Sequence, residues 1–174
     1  MAELTPLDEK LGEVLGLAQA AQVATQKVRA LEGAEEFQGD LDRMHEQASE
    51  TEGRTDELID AREGRKTAIR EKASDTKSEG ADMMKIYLGG EAEALDGFEF
   101  LSMTEAGELC HWEIVARMSE LANESDVHEI AQWAVEIQRR HVESVRDASL
   151  TLAAREAGSP TSASTRNGKT SAGR

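Results

Sequence analysis

The chain has 174 residues, with 35 Asp and Glu against 20 Lys and Arg, and a formal charge of −15. That balance argues against a general nucleic-acid binder, because phosphate backbones are gripped by dense Lys and Arg. A 3% aromatic content beside 39% hydrophobic residues suits a helical protein better than a sandwich or barrel, and one cysteine excludes an internal disulfide framework or a multi-cysteine zinc site.

The opening MAELTPLDEK lacks the basic-then-apolar pattern of a signal peptide. No run approaches the roughly 18 apolar residues of a membrane span, so a cytoplasmic protein is expected. Thr5-Pro6 predicts a helix start, with Thr5 as N-cap and Pro6 at the first position. Leu7, Leu11, Val14, Ala18, Ala21, Thr25 and Val28 then recur every three or four residues, so the first helix is expected to reach about Leu31, with Gly33 stopping it. The second helix carries Phe37, Leu41, Met44, Ala48, Thr55 and Leu58, a poorer stripe with His45 beside Met44. The stretch 61–90 is dense in charge, and its apolar points, Ile69 and then Met83 to Leu88, predict extra helix before a break at Gly89-Gly90. A third bundle helix follows Leu95, Phe98, Leu101, Trp112, Val115, Met118 and Leu121. The fourth starts near Ser125 and follows Val127, Ile130, Ala134, Ile137, Val145, Ala148 and Leu152. Residues 158–174 turn to Gly, Ser and Thr with Arg166, Lys169 and Arg174 and no acid, a composition that predicts a disordered basic tail. Its three positive charges, taken from −15, leave residues 1–157 at −18.

These elements predict an all-α, up-down four-helix bundle over residues 1–157. Two antiparallel hairpins are joined by a crossover of roughly 30 residues, long enough to climb the bundle. A plain bundle, or a coiled-coil hairpin whose middle continues the second helix, is the competing arrangement.

Several polar residues stand where a core should be. Glu105 and Glu108 lie on the stripe that runs from Leu101 to Trp112, and His141 lies between Ile137 and Val145 with Gln138 one turn earlier. Buried carboxylates cost several kcal/mol unless paired, hydrogen-bonded or bound to a cation. If the last two helices fold back about Glu124, Glu108 and His141 share a height. His45 pairs in height with Gln22 in the other hairpin; the alternative register sets Glu50 or Glu52 against Glu13. Three of the four histidines have an acid or Gln three positions earlier, in Asp42-x-x-His45, Glu108-x-x-His111 and Gln138-x-x-His141. That spacing puts both side chains on one helix face, as bundles do when they chelate iron or manganese. The competing reading is a polar core layer with exposed ion pairs.

With Glu105-x-x-Glu108, His111-Trp112-Glu113-Ile114, Gln138-x-x-His141 and the acid-rich Glu50-Thr51-Glu52-Gly53-Arg54 segment, the chain resembles the ferritin-like superfamily. It is closest to rubrerythrin-type bundles and small bacterial stress-associated ferritin-like proteins. The resemblance covers most of residues 7–155 through short motifs. It implies a two-metal iron or manganese centre acting on dioxygen or peroxide in stress defence, and a homodimer. Glu105 and Glu108 match the family's third-helix carboxylates and His141 its fourth-helix histidine. Asp42, His45, Glu50, His111 and Gln138 complete the candidate metal ligands. The first helix departs from the pattern: Gln19, Gln22 and Gln26 replace its acid, and Gln138 and Asp42 stand where Glu is expected. One metal, two metals or none is compatible with that set, and a metal-free interaction or assembly module is the alternative function.

Overall fold

The structure, a computed structural model, describes residues 3–158. The tail expected over 158–174 lies outside the described residues except for Gly158, which ends the last helix. All regular structure among the described residues is helical: α1 Pro6–Arg29, a short 3₁₀ turn Glu35–Phe37, α2 Gln38–Asp60, α3 Lys66–Tyr87, α4 Ala94–Ala122 and α5 Ser125–Gly158.

The start of α1 follows from its first residues. The Thr5 hydroxyl accepts from the Asp8 backbone N–H, the Asp8 carboxylate accepts from the Thr5 N–H, and Pro6 fills a position whose N–H has no helical partner. The helix ends at Arg29, two residues short of the expected Leu31, and Gly33 supplies the left-handed turn (φ 88°) into α2. Between α4 and α5 the same service is done by Asn123 at φ 57°.

Side-chain contacts give the directions. Arg29 meets Asp42 and Gln22 meets Glu52, so α1 and α2 are antiparallel. Ser102 meets Ser149 and Ser119 meets His128, so α4 and α5 are antiparallel too. Gly12 lies against Ile69 and Lys72, Gly16 against Ala73 and Thr76, and Gly80 against Ala20, so α3 climbs parallel to α1. It carries the chain from the Arg62 end to the opposite end, where the Ala94 N–H donates to the Glu32 carbonyl. The 61–90 connection is thus a 22-residue helix with short turns. α1 packs on α2, α3 and α4, and α2 also reaches α5, which excludes the elongated hairpin. Contact on three sides explains why α1 is built from Ala, Gly, Leu and Val around most of its circumference.

The core falls into two apolar clusters. One gathers Leu11, Leu15, Ile59, Ile69, Trp112 and Val115; the other gathers Val28, Leu41, Met44, Phe98, Leu101 and Val145. On α4 the residues between Leu101 and Trp112 include Glu105 and Glu108; on α5 those between Val135 and Val145 include Gln138 and His141. All four are buried, so a polar layer separates the clusters.

Candidate functional site: a buried polar layer

α4 and α5 place two side chains each in this layer because i, i+3 neighbours share a helix face. His141 Nδ1 lies 3.1 Å from Glu105 Oε2, and its Nε2 lies 2.8 Å from Gln47 Oε1 of α2. Both ring nitrogens are therefore engaged by protein. Glu108 sits a turn further along α4, facing Gln138 and the Trp112 indole. Burial, and then the neighbouring Glu105 carboxylate, hold the Glu108 carboxyl well above the ordinary glutamate range, opposed by Trp112 and Gln138. Glu108 Oε1, Trp112 Nε1 and Gln138 Oε1 have no hydrogen-bond partner among the described residues. A neutral Glu108 has an O–H to donate, and Gln138 Oε1 is a bare acceptor beside it.

The expected pairing of Glu108 with His141 at one height is off by one helical turn. Glu105 takes the histidine, and Glu108 takes Gln138. In the other hairpin the structure adopts the register that sets His45 beside Gln22, whose backbone carbonyl lies 3.1 Å from His45 Nδ1. Gln26 covers the other ring nitrogen. Asp42 turns to Arg29 and Glu50 to Arg54, both at the surface, so neither joins His45 or the layer. His111 lies across α1, with Nδ1 2.9 Å from the Gly107 carbonyl and Nε2 3.4 Å from Glu13. Glu13 also pairs with Lys10 and Lys72. His128 is held by the Ala116 carbonyl and Ser119. Of the eight candidate ligands, the layer thus unites Glu105, Glu108, Gln138 and His141; Asp42, His45, Glu50 and His111 lie elsewhere.

A two-metal centre needs carboxylates and imidazoles that converge on shared points. Among the described residues no three His, Cys, Asp or Glu side chains do so. On α1, where the family places a carboxylate, Gln19 and Gln22 donate instead to Glu52 of α2, at 2.9 and 2.6 Å. Gln47 stands where a metal would meet His141 Nε2. The residues do not fit a two-metal site.

Gln47 escapes a reading of the sequence because it is only half buried; its one signal is a place one turn after Met44 on the core side of α2. A second polar cluster was equally hidden. Asp8, fully buried, receives hydrogen bonds from Arg62 and Arg65, and Arg62 also holds Glu124. The bonded partners lie 54 to 62 positions apart in the chain.

No family model, curated protein or solved structure matches the chain. No helix among the described residues is long and apolar enough to cross a membrane.

Proposed function

We propose that the chain is a metal-independent binding or assembly module with ferritin-like topology. The observation that carries this reading is the engagement of the layer's one histidine: both nitrogens of His141 are taken by Glu105 and Gln47. The two antiparallel hairpins linked by a climbing α3 support the topological likeness. In this reading the protein is cytoplasmic and forms a homodimer that covers Ile86 and Tyr87, which are 78% and 51% exposed. Sedimentation of wild type and Ile86→Glu checks the dimer; a monomeric wild type removes that part of the proposal.

One observation favours a second reading, an iron or manganese protein of stress defence. Glu108 Oε1 and Gln138 Oε1 are two bare, buried oxygens, the donor type that hard divalent ions prefer. They suit a single ion with Glu105 nearby. Aerobic purification followed by metal analysis decides between the two. The metal-independent reading predicts substoichiometric iron, manganese and zinc, and a melting temperature unmoved by EDTA. One equivalent of iron or manganese per chain, lost in Glu108→Gln and His141→Ala, would establish the second reading instead.

A further inference from the structure

We propose that the second half of α3, from Gly80 to Leu88, is a strap that lifts from the bundle as a unit and opens the cavity beneath it, while the first half stays docked. The sequence already divides this helix. Its inward stripe runs Ile69, Ala73, Thr76, Gly80, Met84 and Leu88, so the middle carries no large apolar side chain and Gly80 carries none at all. The first half is fastened on several sides. Arg65, at its cap, holds Asp8; Arg70 pairs with Asp56 and Asp60 of α2; Lys72 pairs with Glu13 of α1. Ile69 and Ala73 are buried, and their carbonyl oxygens lie so near α1 that a Cβ at Gly12 or Gly16 would collide with them.

The second half has no such fastenings. Of residues 80–87 only Met84 is buried, followed by Leu88 at the C-cap, and the Tyr87 ring leans on Phe100 with centroids 5.8 Å apart. The pair Asp82–Lys85 is internal to the segment, and among the described residues no side-chain hydrogen bond or ion pair ties 80–88 to another helix. Beneath it lies a cavity of about 460 Å³ between α1, α3 and α4, where a well-packed interior would leave almost no space. Gly107 of α4 lines that space, and a Cβ there would meet nothing within 4 Å, so α4 gives the strap no support at that level. Segments with few buried contacts open locally, well below the cost of global unfolding. The bending points are glycines. Gly80 interrupts the helix where its side-chain packing is thinnest, and Gly90, at φ 72° with nothing within 4 Å of an added Cβ, is free to turn.

The inference goes beyond the proposed function and needs neither a dimer nor an ion. A cysteine under the strap reports its lifting through the rate at which a thiol reagent reaches it. The full chain is used in EDTA, in a Cys110→Ser background that removes the one native thiol, and again with Ile86→Glu so that association through that face does not enter. Met84→Cys and Leu88→Cys should be labelled within about threefold of each other and with little dependence on urea, as one local opening requires. Ala73→Cys should be labelled at least about a hundredfold more slowly and with the full urea dependence of global unfolding, since that slope follows the surface exposed. Ala81→Cys, a milder change in the same segment, carries the same reading where Met84→Cys does not fold. Leu88→Cys far ahead of Met84→Cys would mean fraying of a helix end. Equal labelling at Ala73→Cys would mean that α3 leaves as a whole, and a global urea dependence at Met84→Cys would mean that nothing lifts. Each of these overturns the proposal.

Discussion

Asp8 has two roles, capping α1 through Thr5 and anchoring Arg62 and Arg65 from beyond α2. Burial alone would raise its pKa, but the Thr5 hydrogen bonds and the two guanidinium groups outweigh it and hold the carboxylate below the ordinary value of 3.8. A depressed folded value means stability that is present above the unfolded pKa and lost as pH falls through the folded one. Asp8→Ala leaves the buried Arg62 with only Glu124 and removes the cap of α1, and the expected loss is about 3 kcal/mol by denaturant unfolding at neutral pH. The gap to wild type should narrow as the pH drops below 3.8. Glu108 behaves oppositely. Its raised value means a contribution complete below the unfolded pKa, near 4.5, and lost as pH rises through the folded value. Glu108→Gln keeps the hydrogen-bonding shape without the ionisation, so its stability relative to wild type should improve from acid to neutral pH. A difference independent of pH would contradict this account of the layer.

At the scale of elements, glycines in α1 and α4 have opposite meanings. Gly16 faces the Ala73 carbonyl, and an added Cβ would lie 2.4 Å from that oxygen and 2.7 Å from Thr76 Cβ. Backbone cannot swing away as a side-chain tip can, so Gly16→Ala should push α3 off α1 and cost about 1–3 kcal/mol, as overpacking does. Gly53→Ala in α2 meets nothing within 4 Å and should stabilise by about 0.4–1 kcal/mol. Thermal melts of the two variants should therefore move in opposite directions. The sequence shows both residues only as helix-weakening glycines, because a close approach between α1 and α3 joins residues some 57 positions apart and leaves no local trace. The elements were legible for the opposite reason: capping by Thr5-Pro6, the 3.6-residue stripes and the break at Gly89-Gly90 are all local. In the site, the buried set Glu105, Glu108, Gln138 and His141 was legible because each interrupts an apolar stripe. Which of them pair was not, since a one-turn offset between α4 and α5 lies within the freedom of the loop. His111 and His45 share the same i, i+3 signature but face Glu13 and Gln22, a difference that only the arrangement of helices decides.

Across the whole molecule, two apolar clusters are threaded by the same five helices and parted by the layer of Glu105, Glu108, Gln138 and His141. The ends are fastened differently. At one end Arg62 joins the start of α1, the turn after α2 and the α4–α5 turn through Asp8 and Glu124. At the other, the pair that joins the start of α2 to α5, Glu36–Arg155, is exposed, and among the described residues no buried guanidinium ties three segments there. Exposed pairs contribute roughly 0–1 kcal/mol, whereas a buried guanidinium shared by two carboxylates is lost only when three segments separate together. The fold therefore has a hinge-like polarity in its breathing. Amide exchange should begin around residues 85–97 and the last turns of α5, and arrive last where α1 leaves Thr5. In Arg62→Ala that order should disappear, with both ends exchanging together, turning a molecule that opens from one side into one that frays from two.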